Sequence, residues 1–234
     1  MSAVKVLSAG AAQNLIEGVA RQFEAATGLS IDGEFGAVGA RATKLRSGQA
    51  ADVVILTAAI MKQLESEQLL QRGSAKPIGV VETALAVRAR DSIAPVVDAA
   101  TLRWAFVASD AIFVPDVSES TAGRHVMQVL QQLEITAQVR PRLKTFAAGA
   151  IAMRNLAASD AIRPVGCTQA TEILATPGLK LAAALPGEFA LRTTYTVAIA
   201  STAADAAAAK ILIDLVTASD QRRLREQAGF TEAH

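Results

Sequence analysis

The chain has 234 residues, of which 51% are hydrophobic, 19% charged and 4% aromatic, and 23 Lys+Arg against 22 Asp+Glu leave a net charge of +1. Neither sign is gathered into a block, so no basic face is available to neutralise phosphates, and nucleic acid is excluded as a partner. One cysteine, Cys167, two histidines, His125 and His234, and no uncharged apolar run of 18 residues argue against a disulfide, a metal cage or a membrane-spanning helix.

The length suits one large domain or two small ones, and 50 alanines favour closely packed helices. Val4 to Ser8 reads as a strand, and Gln13 to Ala26 as a helix with Leu15, Ile16, Val19, Ala20 and Phe23 on one face, ended by Gly28. Strands follow at 29–35 and 52–56, and helices at 40–46 and 59–70. Residues 78–90 are strand-rich and break this rhythm. The alternation then restarts, with helices at 99–106, 123–133, 148–157 and 168–174 and strands at 111–114, 141–145 and 162–166. A last apolar strand at 195–200 precedes helices 205–218 and 220–227. The pattern is that of an α/β protein with two lobes. Lobe 1 is expected at 1–80 plus 196–234 and lobe 2 at 81–195, with chain crossings near 79–85 and 190–196 acting as the hinge.

Three loops that lead from a strand into a helix are small, neutral and glycine-bearing: Ser8-Ala9-Gly10-Ala11-Ala12, Gly36-Ala37-Val38-Gly39-Ala40 and Ser118-Glu119-Ser120-Thr121-Ala122-Gly123. Small residues at a helix start let an anion approach unpaired N–H groups at the positive end of the dipole. They also serve simply to tighten a turn, and each loop alone is compatible with that role. No phosphate-binding loop, dinucleotide fingerprint or nucleophile elbow is present, and no cofactor is expected. His125 beside Arg124 is open to an acid-base role or to a plain surface one. Cys167 reads as a buried structural thiol. Arg41, Lys44, Arg124 and Arg154 are either carboxylate clamps or ordinary surface charge.

The opening Val4-Lys5-Val6-Leu7-Ser8-Ala9-Gly10, then Phe35-Gly36-Ala37-Val38-Gly39 and Ala51-Asp52-Val53-Val54-Ile55, resemble the molybdate-binding proteins of ABC transporters. The similarity continues through Pro115-Asp116, Thr121-Ala122-Gly123, Gly149-Ala150-Ile151-Ala152, Tyr195-Thr196-Val197-Ala198-Ile199 and Gly229-Phe230-Thr231, in order over nearly the whole chain. The resemblance implies the type II periplasmic-binding-protein fold, two α/β lobes joined by a two-crossing hinge and closing on an oxyanion held by hydroxyls and helix-start amides. It also implies departures. Ala11 stands where a serine is usual, Val38 and Gly39 where another is, and a customary tyrosine is replaced near Cys167. Each missing hydrogen bond to a charged ligand is worth about 1.5–3 kcal/mol.

The stretch Gly166-Cys167-Thr168-Gln169-Ala170-Thr171-Glu172, with Pro177-Gly178 and Leu185-Pro186, resembles a divergent branch that includes aconitate isomerase. The expected function is therefore a solute-binding protein that captures a small anion, molybdate-like or organic, for ABC-type uptake. The expected lining is Ser8, Gly10, Ala11, Ala37, Val38, Gly39, Ser120, Thr121 and Thr168. The alternative is an isomerase of a small polycarboxylate, with His125, Glu119 or Glu172 as base and Arg41, Arg124 or Arg154 as clamp. A monomer is expected, working with a permease and without inserting into the membrane. It would be periplasmic if a signal peptide precedes Met1, and cytoplasmic as written.

Overall fold

The computed structural model describes residues 3–232, so His234 lies outside the described residues. The chain forms two compact units, one built from the residues up to Val81 and from Thr193 onward, the other from the continuous segment Glu82–Arg192.

In the first unit, β1 (Ala3–Ala9) runs through a 3-10 turn at Gly10–Ala12 into α1 (Gln13–Thr27), which Gly28 closes at a φ of 70°. Then come β2 (Ser30–Gly36), α2 (Val38–Arg46), β3 (Val53–Thr57) and α3 (Ala58–Ser66). Strand β1 lies between β2 and β3, parallel to both, so that Ala9 and Gly36 are level and the strands share one carboxyl edge. Every residue of β3 is buried, which is why it reads as a continuous apolar run without alternation. Helix α1 places Leu15, Ile16, Val19 and Phe23 in the core, the face foreseen from their spacing. Helix α3 is shorter than its periodicity suggests. Gln68 turns to a φ of 61°, and Leu70 leaves the helix to bridge Ala200.

The chain leaves this unit along β4 (Lys76–Arg88) and returns along β9 (Arg192–Ile199), which pairs antiparallel with β3. Near the start of β4, Val80 exchanges two backbone hydrogen bonds of 2.8 Å with Thr231. A side chain at Gly79 would press on the Thr231 carbonyl, at 2.7 Å, so the glycine permits this close approach. That contact gives the Gly229-Phe230-Thr231 motif a structural purpose.

In the second unit, α4 (Ala99–Val107), β5 (Ala111–Pro115), α5 (Thr121–Gln132) and the single turn α6 (Thr136–Val139) precede β6 (Leu143–Phe146). They are followed by α7 (Gly149–Ala157), β7 (Pro164–Gln169), α8 (Ala170–Leu174) and β8 (Leu179–Ala184). Strand β5 sits between β6 and β7, parallel to both, while β4 is antiparallel to β7 and carries β8 on its other side. Leu85 of β4, Cys167 of β7 and Val126, Val129 and Leu130 of α5 share one core. Two further helices of the first unit, α9 (Ala206–Thr217) and α10 (Arg222–Gln227), complete the chain. No described helix is long and apolar enough to cross a membrane.

Candidate functional site

Four helix starts of the first unit, three at one edge of the parallel strands and one at the other, differ in what fills them. At the carboxyl edge of the parallel strands, α2 begins at Ala37 and α3 at Thr57, and the turn before α1 begins at Ala9. None of the three has a side-chain cap or an acidic residue in its first turn. Helix α9 begins near the opposite edge, beside the residue that precedes β3, and is heavily satisfied. The Asp205 carboxylate accepts from the Ala208 amide at 2.8 Å, and buried Asp52 accepts from Ala204 at 2.7 Å and Asp205 at 3.2 Å. The same Asp52 accepts from the Lys5 amide at 2.8 Å, which explains the Ala51-Asp52-Val53 motif as a stitch between chain segments. One edge is thus filled with the protein's own carboxylates, while the other keeps the first amides of three helical segments free of side-chain partners.

Among the residues singled out from the sequence, Gly10, Ala11, Ala37, Val38 and Gly39 all lie at this edge. Ala11 and Val38 are only 4% exposed, so their contribution is confined to backbone amides. Ser8 is fully buried and donates its hydroxyl hydrogen to the Ala9 carbonyl at 2.9 Å. Thr57 escaped notice in the sequence. It precedes the first residue of α3, its hydroxyl does not cap the helix, and it pairs across the sheet with Tyr195. Arg41 and Lys44 are both drawn to Glu34, whose carboxyl is held below its ordinary range chiefly by Lys44, with Gln49 and Arg41 adding to it. The Arg41 guanidinium also lies against Gly36, where a side chain would come within 2.8 Å of its Nη2.

In the second unit, the Asp116 carboxylate accepts from Ser118 Oγ and from the Ser118 and Glu119 amides at 2.7–2.8 Å, fixing the loop before α5 and lowering its own pKa. Ser120 caps the Gly123 amide at 3.3 Å, leaving the Thr121 and Ala122 amides at the helix tip. Gly123 is needed because the Asp116 carbonyl packs directly onto its α-carbon. Thr168 belongs to β7 rather than to the following helix. It is fully buried, and its hydroxyl donates to Glu172 Oε2 at 2.5 Å. Glu172 also takes the Ala150 amide in the first turn of α7, so that helix start is closed by the chain's own carboxyl. Burial pushes the Glu172 pKa up, against the opposing effect of Thr168 and the two amides of Ala150 and Gln169.

The end of β7 holds what sequence reading missed. Gln169 is 3% exposed, and neither its Nε2 nor its Oε1 has a hydrogen-bond partner. Thr83, directly opposite on β4, is 1% exposed with its hydroxyl equally unpaired, as is that of Thr171. Cys167, near which a replaced tyrosine was sought, instead packs in the apolar core, and burial pushes its thiol up to about 12. The polar group at the strand end is Gln169.

The base-and-clamp set of the isomerase alternative is not assembled. His125 Nε2 bonds the Phe189 carbonyl at 2.8 Å, Arg124 bonds the Ser118 carbonyl at 2.7 Å, and Glu119 and Arg154 are exposed. Nor do the described residues contain a cluster able to hold a metal ion. A cavity of about 300 Å³ lies at the other end of the second unit, among Val87, Trp104, Ser109, Ile162 and Pro164. Its Ser109 hydroxyl is already bonded to Ala105. Unsatisfied polar groups therefore favour the carboxyl edges over this cavity.

A profile of the bacterial extracellular solute-binding protein family matches residues 4–231. No curated protein sequence matches the chain. Among solved structures, the periplasmic molybdate-binding protein of Azotobacter vinelandii is similar with a TM-score of 0.81 at 18% identity, over 99% of this chain and 100% of that one. The sulfate-binding protein SubI of Mycobacterium tuberculosis H37Rv follows at 0.77 and 15%, over 100% and 88%. The periplasmic binding protein AfuA of Actinobacillus pleuropneumoniae, solved with fructose-6-phosphate bound, gives 0.70 and 15%, over 98% and 84%. The fold is that of the type II periplasmic binding proteins, as the motif order implies.

Proposed function

Because the chain belongs to the bacterial extracellular solute-binding protein family, we propose that it captures a small anion in the periplasm and hands it to an ABC-type permease. The observation that carries this reading is the contrast between helix starts in the first unit. Three at the carboxyl edge lack both cap and acid, while the α9 start at the other edge is filled by Asp52 and Asp205. Unfilled helix starts are anion sites by virtue of their amides and dipoles. The relatives named above bind molybdate, sulfate and a sugar phosphate, which supports an anionic ligand here. The two crossings along β4 and β9 are proposed as the hinge.

In the first unit the donors would be the amides of Gly10, Ala11, Val38 and Gly39 and the Thr57 hydroxyl; in the second they would be the Thr121 amide and the Ser120 and Thr121 hydroxyls. Most of these donors are neutral backbone groups, so a Val replacing Thr57 or Thr121 should leave the fold intact and cost about tenfold in affinity. The test is thermal unfolding against molybdate, tungstate, sulfate, phosphate, citrate and both aconitates. A ligand at 100 times its dissociation constant stabilises the native state by about 2.7 kcal/mol. Silence across this panel overturns the anion reading, and an unchanged affinity in Thr121→Val removes that residue from the site.

A further inference from the structure

We infer that the preferred anion is one that carries a hydrogen-bond donor of its own, a hydroxy acid or a hydrogen phosphate, rather than a fully deprotonated oxyanion. The inference rests on the anion-capturing reading above and narrows its ligand class.

The last residue of β7 is Gln169, with both polar atoms of its side chain buried and unpaired. Thr83 faces it across the β4–β7 pair, and its hydroxyl is unpaired as well. Residues opposite one another in an antiparallel pair share a face of the sheet, and residues two apart on a strand do too. Gln169 and Thr83 therefore lie on the face of Cys167 and Leu85, against which α5 packs. They are two positions nearer the carboxyl edge of β7, where the Thr121 and Ala122 amides begin α5. The backbone amides of the first turn of α5 are donors only.

A primary amide is different, because it offers two N–H donors and one carbonyl acceptor. An ion such as sulfate or molybdate, with every oxygen deprotonated, has only acceptors to offer. It would take Nε2, and then either the Thr83 hydroxyl turns to Oε1 and is lost to the anion, or Oε1 is left buried and unpaired. Leaving a buried acceptor unmet is costly, whereas a ligand O–H meets it. A leucine or methionine would have closed this corner without a polar debt. A ligand that both accepts and donates uses the whole amide and keeps the Thr83 hydroxyl for itself.

Two matched pairs of ligands isolate the proton. Hydrogen phosphate and sulfate share size, charge and tetrahedral geometry, and differ in one O–H at pH 8, where the phosphate dianion predominates. Malate and succinate share their carboxylates and differ in one hydroxyl. Calorimetric titration of the intact protein is expected to show the donor-bearing member of at least one pair binding about tenfold tighter or more. Which pair shows the preference tells a phosphate-type ligand from a hydroxy acid. Gln169→Met, nearly isosteric and without polar atoms, should erase the preference while leaving the melting temperature of the unliganded protein equal or higher. Equal affinities within both pairs, with binding intact, overturn the inference and leave anion capture standing. Failure of all four to bind, together with silence toward molybdate and tungstate, overturns the anion reading itself.

Discussion

Glu172 shows how one residue can occupy a place that a ligand would otherwise take. Its carboxyl closes the start of α7 through the Ala150 amide and is held by Thr168 at 2.5 Å, with no cation beside it. Gly149 makes this possible, because any side chain there would collide with the Glu172 carboxyl and the Thr168 hydroxyl. Burial favours the neutral acid, so the folded-state pKa lies above the ordinary carboxyl value of 4.5. Below that value the group is protonated in both folded and unfolded chains and imposes no penalty. As pH rises through the folded pKa, the unfolded chain has already ionised freely while the folded one resists, and stability is lost. In Glu172→Gln that loss should vanish. Urea unfolding from pH 4 to 8 should show the variant gaining on the natural protein as pH rises. A difference independent of pH would mean that burial does not raise the Glu172 pKa above its unfolded value.

At the scale of elements, the decisive feature is which helix starts are filled. Asp52 ties the amides of Lys5, Ala204 and Asp205 together, and removing it as Asp52→Ala should destabilise the protein by about 3 kcal/mol, read from the urea midpoint. Such a loss without a change in ligand affinity marks it as structural. Ala40, in the first turn of α2 and half-buried, is the opposite case. An acid there complements the dipole by about 0.3–1 kcal/mol, so Ala40→Asp should hold or raise the melting temperature. The same charge repels an anion, and affinity should fall at least tenfold. Unchanged affinity would remove the α2 start from the site.

These elements were legible in the sequence to different degrees. The β-α rhythm of β1 to α3 shows plainly, since apolar runs and helical spacing alternate there. Strand β8, Leu-Lys-Leu-Ala-Ala-Ala, did not, because it lies on the flank of β4, has no fully buried residue and is alanine-rich, without a strand signature. Helices α2 and α5 begin two residues earlier than periodicity suggested, as their first turns are made of small residues. Gln169 gave no signal at all. Its meaning depends on Thr83, remote in the chain and brought opposite only by the β4–β7 register. Loop composition, by contrast, located the uncapped starts of α2 and of the turn before α1, because an unfilled helix start is a local property of a few neighbouring residues.

For the whole molecule, the question is whether donors of both units take part in capture. The sequence supplies one probe for each. Its only tryptophan, Trp104, lies on α4 in the second unit and is 63% exposed, and its only tyrosine, Tyr195, lies on β9 in the first. Tyr195 is 1% exposed and meets Phe230 edge-on at 6.1 Å, so unfolding of the first unit changes its surroundings completely. A ligand raises the unfolding temperature only of the cooperative unit whose native state it binds. For a chain of this length, saturation at 100 times the dissociation constant corresponds to roughly 5–10 °C. With the best ligand of the panel, Trp104 fluorescence and Tyr195 near-ultraviolet absorbance should shift upward together by that amount. If Trp104 alone moves, capture belongs to Thr121, Gln169 and their neighbours, and the unfilled starts of α2 and α3 have another purpose. If Tyr195 alone moves, the roles reverse, and the unpaired amide of Gln169 loses its ligand.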